Sequence, residues 1–358
     1  MSRFLIVDVG AGTIDILFYD DLTGTHYKAV GKSPVRCVGE KAAATQGNLL
    51  FTGREMGGGA LSEVLRNRVR TAEVLMTSSA ALTISHQLDK VQSWGIRIVK
   101  EKELAHLSRQ EDYSVIKLGD LQPDRLERIV TDLGVPFEFD VLGVCAQDHG
   151  MPPEGTSHLD YRHKLFQQVL DPNPFPHSLI YAANEVPHTF NRLRSIAESG
   201  SALPAGEVYV MDSGMAAILG ASMDYRAAML RNILVLDLAT SHTVGAVLTQ
   251  GELAGFFEYH TKDITIERLD SLIVELADGK LTHERVLEEG GHGAYVRRAV
   301  GFKSIEMIVA TGPRRRLVEQ SRHPITFGAP LGDNMMTGTV GVLEAIRRRQ
   351  SKPPLIYL

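Results

Sequence analysis

Along the chain, short runs of β-branched and other apolar residues alternate with longer stretches whose apolar positions recur every three or four residues. This is the pattern of an α/β protein with helices packed on mixed sheets. The apolar runs predict strands over 4–9, 15–19, 96–99, 139–146, 233–238, 243–248, 252–259 and 305–310. The helical period predicts helices over 60–68, 78–94, 123–133, 161–169, 213–224, 264–277 and 339–348. Proline and turn formers in "MPPEGTS" and "DPNPFPHSL" predict surface loops near the middle of the chain.

The first two strands meet in an unusual turn. In "FLIVDVGAGTIDILFYD" the strand ends in Asp8, turns through Gly10, Gly12 and Thr13, and restarts at Asp15. A tight hairpin of Gly and Thr can point successive backbone N–H groups outward and form a concavity for phosphate oxygens. Asp8 would then face a phosphate-bound cation, since a carboxylate beside phosphate requires a positive charge between them. A plain hairpin with a turn-stabilising aspartate is the alternative for one such motif. The pattern recurs, however, in "ILVLDLATSHTVGAVL" from Ile233, with Asp237, Ala239, Thr240, Ser241 and Thr243 in the corresponding segment.

Composition narrows the picture. The 358 residues are 44% hydrophobic, enough for a sizeable core and, at this length, for two domains. A formal net charge of −5 gives no broad attraction to nucleic acid or anionic membrane. No apolar run is long enough to span a bilayer, and the first strand lacks the marks of a signal peptide, so the expected compartment is the cytoplasm. The two cysteines, Cys37 and Cys145, are too far apart for a CxxC-type knuckle, and Cys145 sits in the apolar run "VLGVCA" and reads as core.

The paired hairpins resemble the phosphate-binding hairpins of the superfamily containing actin, the heat-shock chaperone ATPases and the sugar kinases. Other segments agree in order. "MDSGMAAILGASMDYRAAMLRN" resembles the crossing helix that precedes the second hairpin, and "IEMIVATGPRRRLVEQS" resembles the adenosine-binding element, placing Thr311 and Gly312 beside the nucleotide. "GDNMMTGTVGVLEAIRRR" resembles the second connecting helix. In "FDVLGVCAQDHG", the end resembles the Gly-Gln-x-His-Gly of sugar kinases. The resemblance implies a two-domain actin-like ATPase fold, duplicated ribonuclease H-like, with an interdomain nucleotide cleft. Its expected parts are domain I over 1–228, domain II over 229–333, and a C-terminal helix in 334–358 returning to domain I. It further implies ATP and Mg²⁺, the ion held by Asp8 and Asp237 through water. The second turn departs from the pattern by lacking a glycine pair, and "ATG" holds one glycine where two are usual. "HTVGAVL", "GFFEYHT" and "GGHGA" are most similar to a prokaryotic family labelled as pyruvate formate-lyase activating enzyme. A radical activase needs a CxxxCxxC motif, which this sequence does not contain.

Two further groups of residues carry candidate chemistry. Gln147, Asp148 and His149 follow a buried strand, where Asp148 could orient water or deprotonate a substrate hydroxyl, or could bond local backbone. His242, Glu258, His260 and His292 are brought to one side if the strand at 252–259 runs parallel to that at 233–238, giving either a transition-metal site or ordinary hydrogen-bonding groups. The glycines of "MGGGALSEVL" and the arginines of "GPRRR" offer anion contacts or a plain loop and a solvated helix start. The expected function is a Mg-ATP-binding switch that activates a partner enzyme. The alternatives are a small-molecule kinase, an iron-sulfur activator and a filament-forming protein; the oligomeric state stays open.

Overall fold

The computed structural model describes residues 2–107 and 112–357, so the expected domain limits at Met1 and Leu358 lie outside the described residues. Strands β1 (Arg3–Val9) and β2 (Thr13–Asp20) are buried along most of their length and pair antiparallel, which sets Asp8 opposite Asp15. Strand β3 (His26–Lys32) extends the meander and is partly exposed. The chain then builds a separate parallel sheet from β4 (Asn48–Gly53), β5 (Val74–Thr77), β6 (Arg97–Val99) and β7 (Tyr113–Leu118), in the order β6-β5-β4-β7. It returns through β8 (Phe139–Ala146), β9 (Ile180–Ala182) and β10 (Ala205–Asp212), completing a sheet in the order β3-β2-β1-β8-β10-β9.

A third sheet is made of β11 (Asn232–Leu238), β12 (His242–Thr249), β13 (Glu252–His260), β14 (Gly293–Val296), β15 (Met307–Thr311) and β16 (Ile325–Phe327). Its order is β14-β13-β12-β11-β15-β16. In both six-stranded sheets an antiparallel meander is followed by two strands added in parallel beside its first strand. Because parallel additions place strand ends on one edge, Asp8 and Asp237 emerge at equivalent positions. This repeated topology is the two-domain actin-like ATPase fold.

The halves are joined through the helices Ser213–Ser222 and Thr337–Arg349, which are buried over most of their length and lie against each other. Their backbones touch. A Cβ on Gly220 would stand 1.8 Å from the Thr337 carbonyl oxygen, and one on Gly341 would stand 1.8 Å from that of Ala216. The second helix also packs on β1 and β8, so the end of the chain returns to the first sheet.

Several elements differ from the sequence reading. The single helix expected over 78–94 is two short helices, Ser78–Ala81 and Leu88–Gln92. Thr83 interrupts it, because its hydroxyl accepts a hydrogen bond from the Met56 N–H at 3.2 Å and its carbonyl is pressed against Gly58. The helices Pro34–Ala44, Asn191–Gly200 and His283–Glu288 and eight strands lie outside the expected set. Those strands include β4 and β5, buried at nearly every position, where no alternation marks the pleat.

A second contact between the halves lies where the helix His158–Leu170 meets the helix His283–Glu288. The rings of His163 and His283 stack at 3.8 Å, and His283 Nε2 lies 3.0 Å from Asp160 Oδ1. Burial, then the neighbouring His283, pushes His163 down to about 4. The unfolded chain therefore binds the proton more readily, and this contribution to stability is present above about pH 6.5 and lost as pH falls towards 4. His163→Phe is expected to reduce the loss of thermal stability between those two pH values; an identical pH profile in the variant would remove His163 from the acid response. At the helix crossing, Gly341→Ala is expected to destabilise by about 3 kcal/mol in denaturant unfolding, overpacking outweighing a helix-propensity gain of about 1 kcal/mol. A stabilised variant would show that the two backbones are not in contact.

Candidate functional site

The two hairpin turns are built alike. In the first, the Gly10 N–H donates to the Thr13 carbonyl at 3.0 Å; in the second, the Ala239 N–H donates to the His242 carbonyl at 3.1 Å. Each turn is braced by a hydroxyl residue that follows the third strand of its meander. Ser33 donates its N–H to the Gly12 carbonyl at 3.1 Å and its hydroxyl to the Gly10 carbonyl at 2.6 Å. Thr261 donates its N–H to the Ser241 carbonyl at 2.9 Å and its hydroxyl to the Ala239 carbonyl at 2.8 Å. The braces were missed in the sequence, although each is legible as the first hydroxyl residue after its third strand, in "GKS" and "YHT".

The tips of the two turns meet. A Cβ on Gly12 would lie 2.7 Å from the Thr240 hydroxyl, so a larger residue there would have to displace the Thr240 side chain. Beside them opens a cleft of about 530 Å³, whose walls include Gly10, Gly12, Thr13, Thr240, Ser241 and Gly312. Thr243 is not among them: it is fully buried and its hydroxyl lies 3.1 Å from that of Thr261. The hydrogen-bonding position held by Thr13 in the first turn is held by His242 in the second. Thr311 is also fully buried, its hydroxyl donating to Asp237 Oδ1 at 3.3 Å behind the cleft wall.

Three of the cleft's carboxylates stand beside the turns: Asp8 and Asp237, half-buried at the ends of β1 and β11, and Asp15, 6% exposed. Burial raises Asp8 despite the adjacent Cys145 thiol, and burial together with the Asp8 charge raises Asp15. Burial and Asp8 lift Asp237 to about 7. Asp15 Oδ1 is buried without a hydrogen-bond partner among the described residues. Behind Asp8 stands the start of the helix Thr337–Arg349, where a Cβ on Gly338 would come within 2.0 Å of Asp8 Oδ2. Mutually repelling carboxylates with an unsatisfied oxygen suit a hard divalent cation, which takes oxygen ligands and water.

The segment after β8 reaches the cleft as well. Asp148 is 2% exposed, and its oxygens accept from the Gly150 N–H at 2.8 Å and the Leu193 N–H at 2.9 Å. Burial raises Asp148 to about 6, and one backbone N–H on each oxygen holds the carboxyl in place on the cleft wall. Gln147 donates its side-chain N–H to Glu258 Oε1 at 2.5 Å, and burial pushes His149 down to about 3. Residues absent from the sequence reading complete this wall. Arg192 pairs with Asp120 at 2.8 Å and donates to the Gln147 carbonyl at 2.7 Å, while Glu55 accepts from Asn191 and lies 2.8 Å from His86 Nε2. Only the glycines before the helix Gly59–Arg68 signalled this region, and Gly57, Gly58 and Gly59 do line the cleft. The arginine run instead enters the 3-10 turn Arg315–Val318, with Arg315 over the Phe327 ring at 5.4 Å.

The histidines form a cluster at the edge of the second sheet. His242 and His260 are directly opposed across β12 and β13, and the His292 N–H donates to the Glu258 carbonyl at 2.8 Å. One ligand atom from each of the three imidazoles lies within 4.8 Å of the others. Glu258, expected in the same site, is beside it instead: its Oε2 accepts from Arg162 at 2.5 Å, and Arg162 also pairs with Asp212 at 2.9 Å. Against the cost of burial, the Arg162 guanidinium holds Glu258 well below the usual carboxylate range.

No curated protein matches the sequence. Among solved structures, the chain is similar to the ethanolamine utilization protein EutJ from Carboxydothermus hydrogenoformans, at 9% identity, a TM-score of 0.35, and coverage of 95% of this chain and 88% of that one. It is also similar to the activator of the 2-hydroxyisocaproyl-CoA dehydratase from Clostridium difficile with bound ADPNP, at 8% identity, TM-score 0.33 and 99% of both chains. The ROK hexokinase from Thermus thermophilus matches at 12% identity and TM-score 0.32, over 96% of this chain and 98% of that one. A family model matches residues 56–317, which excludes the first hairpin and includes the second. With its duplicated sheets and paired turns, the chain is an actin-like ATPase-fold protein and belongs to the family described as "Putative pyruvate format-lyase activating enzyme (DUF1786)".

Proposed function

We propose that the cleft binds Mg²⁺ and a nucleoside triphosphate, ATP in the first instance, and that nucleotide-dependent movement of the halves acts on a partner enzyme. The halves would divide near Ala228 and Asp333. The observation that carries this reading is the pair of braced turns meeting over Asp8, Asp15 and Asp237. Backbone around Gly10, Gly12 and Thr13, with Thr240 and Ser241 opposite, would hold phosphate oxygens. Asp8 and Asp237 would hold Mg²⁺ through water, and Gly312 would lie beside the adenosine. The bound ion would neutralise phosphate charge, while the chain's own contribution is to orient the phosphates and exclude water as the turns close.

A kinase reading has separate support. The cleft continues from the turns to Glu55, His86, Lys90 and His158, leaving space for a second ligand. The backbone bonds to Asp148 favour the switch, since they give both of its oxygens a local partner without any substrate. Release of ADP measured with and without pooled metabolites distinguishes the two: a metabolite recovered in phosphorylated form would overturn the switch.

Asp8→Asn is expected to weaken Mg²⁺-dependent ATP binding by about 10- to 100-fold, as for a group acting on a metal through an outer contact. It should leave the ligand-free protein at least as stable, because it removes one of three repelling carboxylates. Calorimetric titration and thermal unfolding check both parts; unchanged affinity with magnesium present would exclude the role given to Asp8. Asp148→Asn is expected to lower stability by about 1–3 kcal/mol, because an amide offers one acceptor where two backbone N–H groups need partners. Denaturant unfolding checks this, and a variant of normal stability with abolished turnover would return Asp148 to the chemistry.

A further inference from the structure

The three histidines at the edge of the second sheet demand an explanation that phosphate binding does not provide. His242 and His260 face each other across β12 and β13, with ring centroids 4.7 Å apart. The His292 ring is 4.7 Å from that of His242 and 4.3 Å from that of His260. One nitrogen in the group, His242 Nε2, is buried and lacks a hydrogen-bond partner among the described residues. Buried polar atoms are normally paired, and one left alone costs about 1–3 kcal/mol.

Two fixed backbone features create the cluster. The antiparallel register of β12 and β13 sets the first two imidazoles opposite one another, and the His292 N–H bond to the Glu258 carbonyl brings the third beside them. Glu258 Oε1 lies 3.5 Å from His292 Nδ1, and that carboxylate is itself held by Arg162 and Gln147. A carboxylate fixed beside an imidazole is the usual outer support of a metal-binding histidine. The arrangement is also asymmetric between the halves. The first turn has Thr13 where the second has His242, and the corresponding brace, Ser33, follows Lys32 where Thr261 follows His260.

We propose that His242, His260 and His292 form a binding site for a divalent transition metal, Zn²⁺ or an ion of similar preference. Three imidazoles suit zinc, cobalt or nickel and do not suit magnesium, which takes oxygen ligands. Three protein ligands also leave a position for water or for an oxygen of a bound ligand. That position can communicate with the cleft, because His242 lines it. The His149 ring, contributed from the end of β8, is the next imidazole, at 6.3 Å from His242 and 6.2 Å from His292. The site is distinct from the Asp8 and Asp237 pair and does not depend on nucleotide binding.

Untagged full-length protein, stripped with chelator and freed of it, is titrated with Zn²⁺ by calorimetry in the absence of nucleotide, and with Co²⁺ by visible absorption. One Zn²⁺ per chain and a Co²⁺ band typical of nitrogen ligation are expected. His260→Ala should weaken Zn²⁺ binding at least 100-fold and abolish the rise in melting temperature on adding Zn²⁺, while His323→Ala should change neither. If His260→Ala does not fold, His292→Ala is measured in its place. Absence of Zn²⁺ binding by the wild-type chain, or binding unaltered in a folded variant of the cluster, overturns the proposal. A separate Mg-ATP titration of the wild-type protein keeps the two readings apart, since either ligand can bind without the other.

Discussion

The cleft is organised around an electrostatic conflict. Asp8, Asp15 and Asp237 are held on its walls by strand pairing, not by partners of opposite charge. Asp15 is fixed opposite Asp8 by the register of β1 and β2, and Asp237 emerges from β11 at the equivalent place in the second half. Their protonation is shifted upward because each is desolvated and because Asp8 acts on both of the others. Such a cluster opposes its own folding when ionised, and the opposition falls when a cation is bound or a proton is taken up. Rigid surroundings are needed to hold it, and the backbone contact of the two crossing helices behind Asp8 provides them.

The turns show how duplication conserves mechanics and frees chemistry. In both halves a residue after the third strand ties the turn by one N–H and one hydroxyl bond, Ser33 in one and Thr261 in the other. These bonds engage turn carbonyls, so the turn's shape does not depend on glycine at each position. That resolves a departure visible in the sequence: Ala239 and Ser241 occupy positions corresponding to Gly10 and Gly12 within the same closed turn. At Gly12 the small size of glycine leaves room for the Thr240 side chain of the opposite turn.

Much of this was legible in the chain. Both braced turns and their flanking strands were marked by an apolar run, an aspartate and a change to small polar residues, and β8 was bounded correctly by its eight-residue apolar stretch. The inserted parallel sheet was harder: only β6 was expected, because β4 and β5 are buried at nearly every position and carry no alternation. Side-chain direction was harder still. Thr243 and Thr311 are one residue away from cleft positions, and a pleated strand turns such neighbours to opposite faces. Arg162, Arg192 and Asp120 were hidden for another reason: buried ion pairs are formed between distant segments, and nothing in the local sequence distinguishes them from surface charges.

The histidine cluster follows from the same geometry that makes the two braced turns. The third strand of each meander runs parallel to the first, so its end must arrive beside the turn, and the brace residue must follow it immediately. Whatever precedes the brace is therefore placed against the first residue of the second strand. In the first half those two residues are Lys32 and Thr13; in the second they are His260 and His242. A lysine opposite a hydroxyl cannot hold a metal, whereas two imidazoles opposite one another need only a third ligand. His292 supplies it from the segment entering β14, a strand with no counterpart beyond β3 in the first sheet. The additional edge strand thus gives the second half a cluster of three imidazoles that the first half, built on the same topology, does not have.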